Sequence, residues 1–410
     1  MNGINTGDTT FVLFATALVM IMTPGLALFY GGMVRRKNVL STTMHSYVAI
    51  VIVSLQWILI GYTLAFGKDI NGLIGNFQFA GLNGVGFAPN ADYAATIPHQ
   101  AFMLFQMMFA IITPALISGA IAERMKFMSF VVFLLLWTTL VYDPLAHWVW
   151  GVNGWIRMFG ALDFAGGDVV HISSGVSALV AAVMLGGRKR KSSVTPHNIP
   201  MTMLGAALLW FGWFGFNAGS ALGINSLALN AFLTTNTAAA ASAIAWAICE
   251  YIHRKKVTSL GVVTGAVAGL VAITPGAGFV SPLASILIGL IGGAICFSSV
   301  TFLKAKFNYD DALDAFGCHG IGGIWGGIAT GIFAWKGINP AGDNGLIHGN
   351  IALVGKQLVG IGATIVYAAV VTFLILLVIK KFMGLRVSED EEQAGLDVST
   401  HGEDAYGGLN

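Results

Sequence analysis

Eleven long apolar runs, separated by short loops that carry most of the basic residues, constrain this chain more than anything else in it. A spanning helix needs about 20 mostly apolar residues. Candidate spans centre on 11–34, 40–66, 98–121, 127–147, 167–186, 200–222, 228–252, 259–276, 283–303, 315–335 and 350–379. Hydrophobic residues make up 56% of the 410 and charged residues 10%, with mean hydropathy +0.77. Soluble domains carry about 25% charged residues, so the expected class is an all-α polytopic protein of the lipid bilayer.

The basic residues give the orientation. If the N-terminus is outside and the spans alternate, the inside loops hold Arg35, Arg36 and Lys37; Arg124 and Lys126; Arg188, Lys189, Arg190 and Lys191; Arg254, Lys255 and Lys256; Lys304 and Lys306; and Lys380, Lys381 and Arg386. Only Lys68, Arg157, Lys336 and Lys356 fall outside, which satisfies the positive-inside rule. The C-terminus is then inside. The first run lacks a positive n-region and is too long for a signal-peptide core, so it reads as the first span. Net charge is +2 and the basic clusters are short, which gives no nucleic-acid-binding signature. Cys249, Cys296 and Cys318 have no CxxC spacing and read as small buried side chains rather than disulfides or metal ligands.

Eleven spans divide into five, five and one. Five is odd, so the second block enters the membrane inverted relative to the first. His171 lies on span 5 and His319 on span 10, each followed by glycine four residues on, Gly175 and Gly323. Sites in inverted-repeat transporters form near the midplane at the repeat interface, and an ionisable group inside a span is a functional candidate. The expected division is a membrane domain over 1–386, with repeats at 9–186 and 200–335 and a last span at 350–381. An acidic tail follows over 387–410, either a solvated, partly disordered end or a docking element. Pro24-Gly25, Pro114 and Pro275-Gly276 are expected to kink or end helices. Glycine-rich runs such as GIGGIWGG (320–327) read as close helix packing.

Two neutral imidazoles in an apolar tube each offer one donor and one acceptor, and so can pass a small molecule that is both. Phe105 and Phe109 share one face of span 3, Phe216 and Ser220 one face of span 6, and Trp150 ends span 4. Together these could form an aromatic vestibule for a cation; most of the aromatics could equally be lipid-facing, core or interfacial belt residues, Trp137, Trp148 and Trp155 among the last. Asp163 or Asp168 caps the start of span 5. Asp310, Asp311 and Asp314 lie at the inner face, where they bind helix ends or tune the exit. There is no TVGYG filter, P-loop, HExxH motif or GxSxG motif with a plausible triad. That disfavours a potassium channel, a primary pump and an intramembrane protease; no enzymatic activity and no cofactor or metal are expected.

Several long stretches carry a family resemblance: PGLALFYGGMVRRKNVL (24–40), ITPALISGAIAERMKF (112–127), ALDFAGGDVVHISSG (161–175), PHNIPM (196–201), WFGFNAGSA (213–221), TNTAAAA (235–241), DAFGCHGIGGIWGG (314–327) and GLRVSEDEEQAGLDVSTHGEDAY (384–406). In these the chain closely resembles the ammonium transporter (Amt/Mep/Rh) family, in particular its microbial Amt branch. The resemblance implies a homotrimer in the cell membrane with one pore per protomer and ammonium or ammonia as substrate, methylammonium being a further candidate. It implies an external recruitment site at Phe109, Trp150 and Ser220 framed by Phe105, and a gate of Phe109 and Phe216. His171 and His319 would be twin pore histidines, with Asp163 and Trp213 as structural groups beside the site. The tail, with the loop at Arg188–Lys191, would contact a PII-type signalling protein. An ammonium sensor acting through its tail and a neutral gas channel of the Rh type are the alternatives. The short extent of chain after Arg386 disfavours a fused output domain, and Trp150 with Ser220 favours the cation-recruiting branch.

Overall fold

The computed structural model describes residues 3–189 and 195–407. Arg190 and Lys191, two of the expected inside-loop basic residues, lie outside these, as do 408–410 of the tail. Among the described residues, nine helices are long and apolar enough to cross a membrane. They are α1 (Thr6–Met33), α2 (Arg36–Phe66), α3 (His99–Ile121), α4 (Phe127–Phe159), α5 (Gly167–Leu185), α6 (Ile199–Gly219), α7 (Ser226–Arg254), α9 (Pro282–Phe307) and α11 (Ala352–Phe382). The two remaining expected spans are also helical. One, α8 (Ser259–Ile273), is shorter, because Pro275 and Gly276 end it. The other, α10 (316–333), is less apolar because a histidine and several glycines interrupt its isoleucines.

Pro24 and Pro114 do not end their helices; α1 and α3 run through them. Neighbouring helices hold the chain there. Gly205 lies so close to Phe29 that a Cβ would sit 2.2 Å from its backbone nitrogen.

Several helices contain a wider π turn. Among the described spans these are Trp57–Gly61 in α2, Thr138–Tyr142 in α4, Gly167–Ile172 in α5, Ser299–Leu303 in α9 and Phe316–Gly320 in α10. Such turns add a residue to the helix and often occur at functional sites. Both histidines singled out from the sequence sit in one. On the face away from the C-terminal ends of α1 and α9, two small hairpins, β1–β2 (Asp69–Ile70 with Ile74–Gly75) and β3–β4 (Pro89–Asn90 with Ala94–Pro98), fill the α2–α3 connection.

The tail is not a solvated end. Met125 pairs with Arg386 as a β-bridge, and α12 (Glu389–Ala394) starts with a Ser388/Glu391 capping box. Glu392 is 3% exposed, accepts from Arg386 Nη2 (2.6 Å) and from the backbone N–H of Lys189 (2.9 Å). Asp397 accepts from the Ser41 N–H (2.8 Å), and Leu396 N–H donates to Asn38 Oδ1 (2.8 Å). The composition missed this because two of its carboxylates, Glu392 and Asp397, meet a guanidinium and backbone amides of other segments, while Glu389, Asp390, Glu391, Glu403 and Asp404 stay exposed.

Candidate functional site

A path crosses the bundle as three cavities. The first, of about 600 Å³, opens on the face that carries the hairpins, and its walls include Phe109, Trp150, Asp163 and Ser220. The second, of about 10 Å³, is enclosed by apolar side chains with Trp213, Phe216, His171 and His319. The third, of about 180 Å³, opens on the tail side and reaches His319, Cys318 and Asp314. Phe29, Val267 and His319 wall both the second and the third.

Between the first and second cavities the rings of Phe109 and Phe216 lie 4.3 Å apart at 37°. Phe105 meets Phe109 edge to face at 5.0 Å, and Trp150 does the same at 5.9 Å. Trp148 and Trp150 differ in what their indoles touch. Trp150 reaches the aromatic cluster, whereas Trp148 donates its indole N–H to Leu73 O and stacks toward Trp155. The Trp150 indole N–H is fixed by Asp163 O at 3.0 Å. Ser220 lines the same cavity and donates its hydroxyl hydrogen to Phe216 O (2.8 Å), which leaves the oxygen's lone pairs free to accept.

Asp163, not Asp168, is the cap. Its Oδ1 accepts from the N–H groups of Gly166 and Gly167 (both 2.7 Å), and its Oδ2 from Asp168 (2.8 Å) and Val169 (3.4 Å). All four amides open the π turn that carries His171, so this one carboxylate fixes the start of that turn.

His171 and His319 are 1% and 4% exposed. Their rings stack at 5.4 Å and 23°, with the two Nδ1 atoms 3.3 Å apart. Only one Nδ1 of a neutral pair can hold the shared hydrogen, so the pair has a donor and an acceptor member and can exchange those roles. His171 Nε2 is buried with no partner among the described residues. Trp213 stacks on His171 at 5.4 Å and 22°, and its indole N–H donates to Thr274 Oγ1 (2.9 Å). The glycines four residues after each histidine are reciprocal. A Cβ on Gly175 would lie 2.1 Å from Gly320 N, directly after His319; one on Gly323 would lie 3.1 Å from His171 Cβ. Gly175 admits the backbone at His319–Gly320, and Gly323 makes room for the side chains of His171 and Ile172.

Sequence reasoning missed Gln106, which lines the first cavity with its Oε1 buried and unpartnered, and Thr274, which fixes Trp213. Gln106 was visible as the one polar side chain between Phe105 and Phe109. Thr274 had no such signal.

At the tail-side end the connecting loops are tied by charge. Glu123, its side chain fully buried, accepts from Arg35 Nε (2.9 Å), Asn38 Nδ2 (2.8 Å) and Arg188 Nη1 (3.1 Å). Asp310 accepts two hydrogen bonds from the Arg188 guanidinium, at 3.0 and 2.8 Å. Burial alone would raise both carboxyls; the hydrogen bonds and charge of Arg35 instead hold Glu123 below the usual carboxylate range, and those of Arg188 hold Asp310 at about 2. Asp311 accepts from the N–H groups of Ala315 (3.1 Å) and Phe316 (2.7 Å), binding the start of α10, and Asp314 pairs with Lys304 at 2.7 Å. Among the described residues no group of histidine, cysteine and carboxylate side chains has the makings of a metal site.

The fold and this site define a multi-pass α-helical membrane protein with a small, apolar cavity at its centre bordered by two histidines. The family model described as Ammonium Transporter Family matches residues 10–406, and the chain belongs to that family. It is 60% identical over 400 residues to an ammonium transporter of Bacillus subtilis, covering 98% of each chain. A crystal structure of Saccharomyces cerevisiae Mep2 superposes with TM-score 0.89 at 38% identity, over 95% of this chain and 91% of that one. A solved structure described as a sensor Amt protein gives TM-score 0.89 at 32% identity, over 96% and 98%. Membership and the apolar helices are consistent with residence in the plasma membrane.

Proposed function

We propose that this chain transports ammonium across the plasma membrane by recruiting the cation at the first cavity and conducting ammonia past the two histidines. The observation that carries this is a pair of nearly unexposed imidazoles, 3.3 Å apart, between two cavities open to opposite faces. A cation over the ring faces of Phe109 and Trp150, which wall the first cavity, gains about 0.5–2 kcal/mol, and the Ser220 oxygen accepts one N–H; Phe105 does not line that cavity and backs Phe109 from behind. The second cavity has room for about one water-sized molecule. Taking a bare ammonium ion into it would cost several kcal/mol, so the proton leaves before the nitrogen passes the Phe109–Phe216 stack. Ammonia then donates to and accepts from the imidazoles in turn. The proton either returns to the first cavity or travels separately along the histidine pair.

The eleven-span arrangement with an outside N-terminus and an inside C-terminus belongs to this reading. So do the membrane domain at 1–386 and the tail at 387–410. The inverted repeat is supported by the π turns on the fourth and fifth helices of each block of five and by the glycine four residues after each histidine; the further π turn in α2 has no counterpart in α7. Assembly as a homotrimer and a PII-type partner at the tail-side face are further parts of it.

The test is His171→Leu with His319→Leu in liposomes, reading current on an ammonium pulse and internal pH. Loss of both signals from a folded protein is expected; wild-type flux would sink the histidine assignment. The likeness to a sensor Amt protein gives a second reading, signalling through the tail. Tail-dependent partner binding by a wild-type protein that conducts nothing would favour it.

A further inference from the structure

Gln56 of α2 and Asp143 of α4 meet inside the helical bundle, 3% and 0% exposed, and line none of the three cavities. Both belong to helices long and apolar enough to span the membrane. Gln56 stands well short of the end of α2 at Phe66, roughly 15 Å at about 1.5 Å per residue. Each residue adjoins a π turn: Gln56 precedes Trp57–Gly61, and Asp143 follows Thr138–Tyr142. Gly61 seats the amide, since a Cβ there would lie 2.6 Å from Gln56 Oε1.

The hydrogens around this pair do not add up if Asp143 is a carboxylate. The Thr139 hydroxyl donates to Leu135 O (2.8 Å), so at 3.1 Å it accepts from Gln56 Nε2. The other amide hydrogen goes to Asp143 Oδ2 at 2.7 Å. Both donors of the amide are then spent. Two acceptors are left over, Gln56 Oε1 and Asp143 Oδ1, each buried and without a partner among the described residues. The Tyr142 hydroxyl, next to Asp143 in sequence, serves neither, being itself unpartnered. Two stranded acceptors and a bare charge in an apolar bundle are both costly. A single hydrogen removes both costs. On Oδ1 it makes the carboxyl neutral and supplies the donor that Oε1 lacks. The two planar groups then close a ring of two hydrogen bonds, Nε2–H to Oδ2 and Oδ1–H to Oε1. We infer that Asp143 binds a proton and holds it as a neutral carboxylic acid paired with the Gln56 amide, a proton site off the transport path that fastens α2 to α4 where both helices widen.

The test compares infrared spectra of the full-length protein in liposomes, wild type against Asp143→Asn, at neutral pH. Wild type should show a protonated-carboxyl C=O band that Asp143→Asn lacks and that moves down in frequency in D2O. Asp143→Asn closes the same ring with an amide N–H in place of the acid O–H, so its Tm and its ammonium-evoked flux should match wild type. Gln56→Leu strands the acid and should lower Tm by a few degrees. It should also move the C=O band up in frequency, because the carbonyl loses its N–H donor; that shift decides the matter should Asp143→Asn fail to fold. No acid band lost in Asp143→Asn and none shifted in Gln56→Leu would overturn the inference, since the carboxyl is then ionised. A wild-type Tm that rises with sodium or ammonium, with no such rise in Asp143→Asn, would overturn it too by giving the stranded oxygens to a bound cation. Loss of flux from a stable Asp143→Asn would overturn the placement off the path.

Discussion

Replacing Gly175 with alanine tests whether the histidine pair depends on close backbone approach. The added Cβ would sit 2.1 Å from Gly320 N and 2.4 Å from Gly320 Cα, where ordinary contact begins at 3.4 Å. Both are backbone atoms, so no side chain can swing aside. Relief requires α5 and α10 to separate by about 1.3 Å, the difference between 3.4 and 2.1. The Nδ1 atoms start at 3.3 Å, and a separation of that size takes them out of hydrogen-bond range. Overpacking of this kind costs about 1–3 kcal/mol, which leaves the fold standing. Gly355→Ala and Gly362→Ala on α11 are the controls, since a Cβ at either meets nothing within 4 Å; each should be neutral or stabilise slightly through helix propensity. Thermal unfolding in detergent and ammonium-evoked flux in liposomes are read on all three. Gly175→Ala should lower Tm by a few degrees and remove most of the flux, while the α11 variants retain both. Wild-type flux in Gly175→Ala would refute the link between the helix crossing and conduction, as would an equal loss in the controls.

Asp163→Asn should destabilise the start of α5. The carboxylate accepts four N–H bonds, and an amide nitrogen cannot accept those aimed at it. A loss of about 2–4 kcal/mol is expected for stranded buried donors, read as a lowered Tm, with flux lost in parallel. Glu123→Gln removes the charge that Arg35 and Arg188 share, and breaking a buried pair costs about 3–5 kcal/mol; protease sensitivity of the tail-side loops should rise. The same cluster sets an acid limit. Asp310 and Glu123 are held below their ordinary values, so their stabilisation is full at neutral pH and is lost in acid, that of Asp310 as pH falls through about 2. Tm measured over that fall should drop, and the drop should shrink in Asp310→Asn.

The spans and the pairing of His171 with His319 were legible because lipid forces a readable pattern. Only a chain that crosses a bilayer repeatedly combines long apolar runs, basic loops on one side and rare imidazoles buried within the runs. Choices between neighbours were not legible. Trp148 and Trp150 have the same composition around them, and only the direction of each indole separates them. Asp163 and Asp168 differ in which one the backbone curls around, a matter of dihedral angles rather than residue type. The tail misled for a related reason. Its acidic composition reads as solvated, yet Glu392 and Asp397 find partners on loops more than 200 and 350 residues away in sequence.

The π turns have a consequence for how the histidines are aimed. A π turn takes one residue more than the α turn it replaces, and each residue of a helix advances the side-chain direction by about 100°. The bearing of His171 and of His319 is therefore written in the number of residues that precede them in their helices. Deleting one residue other than the histidine within 167–172 or 316–320 would restore a plain helix, keep the composition almost unchanged and swing the imidazole away from its counterpart. Residue count, as much as residue identity, is the inherited quantity at these two places, and it is invisible to any reading that scores positions one at a time.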